Sequence, residues 1–97
     1  MSNTNTLAET TTIVAADNCI STGVGGETVI LHQDDGEYYS VNEVGTLVWD
    51  LIQRPTTLDE VSREIVSAYD VAYERCRRDV SEMLAEMADE NLVRLDE

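Results

Sequence analysis

Hydrophobic and polar positions along this chain change rhythm once, near residue 42. Before that point the apolar residues come in short runs. Thr11-Thr12-Ile13-Val14 and Cys19-Ile20-Ser21-Thr22 are rich in the branched side chains that fit a pleated surface. Gly23, Gly25 and Gly26 predict a turn after them. Thr28-Val29-Ile30-Leu31-His32-Gln33 predicts a strand, and Asp34-Asp35-Gly36 leads into Glu37-Tyr38-Tyr39-Ser40-Val41. Asp-Gly between two β-prone runs signals a hairpin. With Asp35-Gly36 as a two-residue turn, Asp34 opposes Glu37, Gln33 opposes Tyr38, His32 opposes Tyr39, Leu31 opposes Ser40 and Ile30 opposes Val41. Ile30, His32, Tyr39 and Val41 then share one face, and Leu31, Gln33, Tyr38 and Ser40 the other. Ile30 and Val41 mark the first face as the core side.

After residue 42 the apolar spacing becomes helical. Asn42 is a good N-cap, and Val44, Leu47, Val48, Leu51 and Ile52 recur at the spacing of an amphipathic helix, with Trp49 off the stripe. Past Pro55, Thr57-Leu58-Asp59-Glu60 reads as a capping box. The stripe of the helix it opens is Leu58, Val61, Ile65, Ala68 and Tyr69. A break at Asp70-Val71 precedes a longer helix from about Ala72 to Asn91, with Tyr73, Cys76, Val80, Leu84 and Met87 on one side. Leu92-Val93 closes the core.

Strands first and helices second predict an α+β fold: a small three-stranded antiparallel sheet followed by three helices, in the outline of a winged helix-turn-helix. Residues 1–10 are polar and Thr/Asn-rich, which predicts a flexible tail. Residues 11–97 then form a single domain.

Charge narrows the function. The 97 residues carry 20 acidic and six basic side chains, a formal charge of −14, and all six bases are Arg. Nucleic acid needs cations against its phosphates, and anionic membrane surfaces need the same; neither is an expected partner. No apolar run is long enough to span a bilayer. Met1-Ser2-Asn3-Thr4-Asn5-Thr6 lacks the cationic and apolar regions of a signal peptide. The cytoplasm is the expected location, with Cys19 and Cys76 as reduced thiols. Residues 1–41 hold six acids and no base. A ligand with Lys or Arg near the hairpin would relieve that charge, and a solvated surface adapted to a salty habitat accounts for it equally well. On the long helix, Arg75 with Asp79 and Arg78 with Glu82 are neutralising i, i+4 pairs.

Catalytic and cofactor chemistry is not in evidence. The glycines lack the Gly-Lys-Ser/Thr of a phosphate loop, since the chain has no Lys. Cys19, His32 and Cys76 stand singly, without the clustering a metal site needs. Aligned on Gly36, a calcium loop would begin at Leu31 and Gln33, where it needs acids. A His32–Cys76 dyad has no orienting third group. No serine sits in the Asp-Ser-Leu context of a carrier protein. The expectation is no enzyme, no metal and no cofactor.

Asp35-Gly36-Glu37-Tyr38-Tyr39-Ser40-Val41-Asn42-Glu43, with Val48-Trp49-Asp50-Leu51-Ile52, Thr57-Leu58-Asp59-Glu60-Val61, Tyr69-Asp70-Val71, Arg78-Asp79-Val80 and Leu92-Val93, resembles the PqqD-like proteins, or RiPP recognition elements. These include stand-alone partners of lasso-peptide systems. The resemblance covers roughly residues 18 to 95. It implies a non-catalytic domain that holds the leader segment of a precursor peptide and presents it to a modifying enzyme or leader protease. It further implies that the leader pairs as a strand with Glu37, Tyr38, Tyr39, Ser40 and Val41, and lies in a groove lined by Cys76, Asp79, Val80, Met83 and Met87. An exposed strand edge suits such pairing. Met83 and Met87 suit an adaptable wall or the core; Tyr39 falls on the core face and Tyr38 faces away. Two other readings stay open: a docking subunit or chaperone of a biosynthetic enzyme, and a winged-helix transcription regulator, which the charge opposes.

Overall fold

The structure is a computed structural model that describes residues 11–96; the tail expected at 1–10 lies outside them. Its elements are β1 (Thr12–Ala15), β2 (Cys19–Val24), β3 (Glu27–His32), β4 (Glu37–Val41), α1 (Glu43–Leu51), β5 (Thr56–Thr57), α2 (Leu58–Ala68), α3 (Tyr73–Asp89) and β6 (Val93–Asp96). The class is α+β, as the pattern predicts, but the strands form two antiparallel sheets, in the orders β5-β1-β6 and β2-β3-β4. The first run of branched residues therefore leaves the hairpin sheet: Ile13 stands opposite Leu95 on β6 and Thr56 on β5. Neither partner has a long period-2 pattern of its own, so both are invisible to periodicity.

The β2-β3-β4 sheet is built from two hairpins. Gly25 and Gly26, at φ 59° and 87°, form a two-residue turn between Val24 and Glu27, where two successive positive φ values favour glycine; Gly23, expected in the turn, instead lies within β2 opposite Thr28 because the ladder runs on to Val24. The second turn departs from expectation. Ile30 stands opposite Tyr39, Leu31 opposite Tyr38 and His32 opposite Glu37, so the loop has four residues, 33–36, and the register is displaced by two. Gln33 donates its N–H back to Asn18 O at 2.9 Å and is lost to β4. Gly36 takes φ 72° and donates to His32 O, while Asp35 Oδ1 accepts the Glu37 N–H at 3.0 Å. A slip of two keeps every side chain on its face, so Ile30, His32, Tyr39 and Val41 still point to the core side. The expected opposition of Asp34 and Glu37 does not exist.

Asn42 caps α1, its Oδ1 accepting the Gly45 N–H at 2.9 Å. Thr57 caps α2 through Glu60 N, and the Glu60 carboxylate accepts from Thr56 Oγ1. α3 ends in a Schellman turn: Asn91 sits at φ 64°, Asn91 N donates to Ala88 O and Leu92 N to Met87 O. That reversal sends the chain into β6, which lies back against β1.

The core gathers Ile13, Ile30, Val48, Ile52, Leu58, Val61 and Leu84, all without exposed surface, with Leu92 and Val93 closing it. Trp49 corrects the reading of α1. It is 3% exposed and donates from Nε1 to Ser21 Oγ at 3.0 Å, whereas Val44, Leu47 and Leu51 are only partly buried. The helix is covered by the hairpin sheet on the Trp49 side, which a one-face stripe does not anticipate. Ala68, assigned to the α2 stripe, is exposed at the helix end. Gly45 permits close approach of α1 to β4, since a Cβ there would come within 2.7 Å of Val41 Cβ.

Candidate functional site

β4 lies at the edge of its sheet, so one side of Glu37–Val41 meets β3 and the other is free. Along an antiparallel strand alternate residues aim their N–H and C=O at opposite neighbours, so this side offers unsatisfied donors and acceptors. Tyr38 points away from the core and is 70% exposed, in line with Leu31 and Ile20 across the sheet. Tyr39 points inward, and its hydroxyl donates to Glu90 Oε1 at 3.1 Å, fastening β4 to the end of α3. Burial, then the Glu90 carboxylate, pushes the Tyr39 phenol up to about 12, so it stays a donor at neutral pH.

Beside the junction of β4 and α1 opens an apolar groove of about 220 Å³. α3 supplies Arg75, Cys76, Asp79, Val80 and Met83, α2 supplies Ile65, and α1 supplies Val44. Tyr69 and Val71, in the break between α2 and α3, complete it. Cys76, Asp79, Val80 and Met83 recur at i, i+3, i+4 and i+7, which stacks them on one helical face. Four of the five groove residues expected on α3 thus come together. The fifth, Met87, is buried in the core outside the groove lining, because the last turn of α3 lies under β6 and Leu92.

Pattern reading missed Val44, Ile65, Tyr69, Val71 and Arg75. The available signal was Val71, an apolar residue in a helix break that no stripe claims and that is 43% exposed. Tyr69 donates its hydroxyl to Glu43 Oε2 at 3.0 Å, which pins the end of α2 to the start of α1 and shapes one wall. Arg75 Nε stands 3.8 Å from Asp79 Oδ2 at the exposed rim, the i, i+4 pair that the spacing predicts.

The groove is lined mainly by apolar side chains, and its one thiol is not activated. Cys76 donates weakly to Ser62 O at 3.8 Å, and burial, then the Asp79 charge, pushes its thiol up, away from the nucleophilic thiolate. His32 lines a separate depression, so the dyad does not form. Among the described residues no group of three or more His, Cys, Asp or Glu side chains could hold a metal ion, and no helix is long and apolar enough to cross a membrane.

The profile of the family described as coenzyme PQQ synthesis protein D (PqqD) matches residues 27–93, from β3 to the start of β6. The chain belongs to the PqqD family. The matched stretch contains both the β4 edge and the whole groove. Among solved structures, this PqqD-family chain is similar to TbiB1 in complex with the TbiA(beta) leader peptide, with 26% identity and a TM-score of 0.78 over 84% of this chain and 94% of that one. It is also similar to a lasso peptide synthetase B1 complexed with its leader peptide, with 17% identity and a TM-score of 0.76 over 90% and 99% of the two chains; at that identity the likeness is one of fold. No curated protein matches the chain.

Proposed function

We propose that this PqqD-family chain binds the leader segment of a ribosomally made precursor peptide by strand addition and presents it to a modifying enzyme or leader protease. It acts by binding and not by catalysis, as one domain spanning residues 11–97, in the cytoplasm. The observation that carries this reading is the free edge of β4, followed directly by α1, whose Val44 lines an apolar groove on α3, in a chain 26% identical to TbiB1, itself solved with a leader peptide. Backbone pairing with Glu37–Val41 supplies affinity without regard to sequence, and the groove around Cys76, Val80 and Met83 selects side chains. The five residues of β4 and the groove beyond them call for about ten to fifteen residues of extended peptide at ~3.3 Å each.

The test is a fluorescence-anisotropy titration of the purified chain with leaders from precursor peptides encoded beside it, each synthesised unmodified and with single N-methyl groups. Saturable binding, lost on methylation at every second position of the paired stretch, is the expected result. Absence of saturable binding to any such leader overturns the reading, and loss without alternation overturns strand addition.

A further inference from the structure

A second depression, of about 610 Å³, lies among the turn after β3, the segment before β2 and the chain entering β6. Asn18, His32, Asp34, Asp35, Asn91 and Arg94 are among its lining residues. Two of its carboxylates are held by neutral groups. Asn18 Nδ2 donates to Asp34 Oδ2 at 2.6 Å, and Asp35 Oδ1 accepts the Glu37 N–H. Arg94, the base in the lining, reaches Asp17 at 3.8 Å. Asp34 and Asp35 are therefore oriented while their charge is left over.

His32 supplies the independent observation. It is 4% exposed, and neither ring nitrogen has a hydrogen-bond partner. Nδ1 lies 3.3 Å from Asp35 Oδ1 but out of line for a hydrogen bond. Buried polar groups are normally paired. An imidazole left unpaired beside a half-exposed carboxylate marks a site whose complete form includes a further group. A cation resting on Asp34 and Asp35 would draw the Asp35 carboxylate round, and His32 Nδ1–H could then donate to it.

We infer that this depression receives a basic side chain of the peptide paired with β4; the inference rests on the strand-addition reading. The ladder gives the geometry. His32 and Glu37 stand opposite each other, and directly opposed residues share a face. A peptide residue opposite Glu37 therefore projects to the face that carries His32, roughly 10 Å from it across two strand spacings. That is within reach of an extended arginine or lysine that meets Asp35 on the way. Glu37 itself is exposed on that face and adds a further negative charge. Among the described residues no three His, Cys, Asp or Glu groups converge as metal ligands, and the paired peptide itself can deliver an organic cation to this face.

The chain has a single histidine, so its ring resonances need no assignment. The full chain is titrated with acetyl-arginine methylamide and, separately, with the isosteric neutral acetyl-citrulline methylamide, following the His32 Cε1–H signal by NMR. A saturable shift with the arginine probe, weaker by about tenfold or more with citrulline, is expected. Asp34→Asn should abolish it; this variant leaves the Asp35 turn bond in place, and an unchanged circular-dichroism melt verifies the fold. Equal responses to the two probes, no response to either, or an undiminished response in Asp34→Asn overturns the inference. In a leader that binds β4, replacing the basic residue opposite Glu37 by citrulline should weaken binding by about tenfold. Unchanged affinity overturns this inference while leaving strand addition intact.

Discussion

At the scale of single residues, Met83 and Tyr39 separate binding from stability. Met83 is partly buried at the groove wall, whereas Val80 beside it is 2% exposed. Met83→Asp sets a carboxylate where a bound peptide would strip its water, at a cost of a few kcal/mol. Leader affinity should fall at least a hundredfold with little change in the thermal midpoint. Val80→Asp should unfold the domain, so only Met83→Asp is informative in a binding assay. Full affinity in folded Met83→Asp would place the peptide elsewhere and favour an enzyme-docking role for α3. Tyr39 is a pH probe. Its phenol is raised from 10.0 to about 12 in the folded chain, so the protonated form is favoured by folding. The stability contributed by the Tyr39–Glu90 bond is complete below pH about 10 and lost as the pH rises through about 12. Urea melts of the parent and Tyr39→Phe should differ by a constant amount up to about pH 10 and converge above it. A difference that persists unchanged to pH 12 would show that the hydroxyl bond is not the source.

At the scale of elements, the junction of β4 and α1 decides the geometry of the site. Val41, Asn42 and Gly45 bring an edge strand into a helix in one step: Asn42 caps, and Gly45 leaves room for Val41. Gly45→Ala removes a weak helix former and on propensity alone would stabilise α1 by about 1 kcal/mol. The added Cβ would stand 2.7 Å from Val41 Cβ, so one element must yield, and overpacking of this kind costs about 1–3 kcal/mol. The net expectation is a lower thermal midpoint together with weaker leader binding, because the element displaced is the pairing edge. A raised midpoint would show that α1 slides away freely. Asn42→Ala, by contrast, should cost about 1 kcal/mol through the lost cap with affinity preserved once the domain is folded.

At the scale of the whole molecule, charge bears on how a peptide would arrive under the proposed function. With 20 acidic and six basic residues, the chain carries a negative field that steers a cationic peptide toward it and repels an anionic one. Raising ionic strength from about 0.01 M to 0.1 M shortens the screening length from roughly 30 Å to 10 Å. The association rate for a leader with net positive charge should therefore drop severalfold across that range, while dissociation, set by the groove and the ladder, changes little. Stopped-flow measurement separates the two. An association rate indifferent to salt would show that the acidity serves some purpose other than capture.

Much of this protein was determined by its sequence alone, wherever the physics is local. The Asn42 and Thr57 caps, the Gly25-Gly26 turn, and the inward face of Ile30, His32, Tyr39 and Val41 follow from neighbours a few positions apart, whereas the α3 set of Cys76, Asp79, Val80 and Met83 came from the family resemblance. The motif around Asp35–Glu43 carried the family. Tertiary structure decided what depends on distant parts of the chain. The hairpin register slipped by two because Gln33 bonds to Asn18, fifteen positions earlier. β1 left the main sheet because β6, at the far end of the described chain, offered it a partner. Trp49 became core because a sheet covered its side of α1. The groove closed only when Val44, Ile65, Tyr69 and Val71 were folded against α3, and Met87 was withdrawn from it by the turn into β6. A site shared among three helices and an edge strand is a product of packing, and packing joins residues whose separation in sequence no periodicity records.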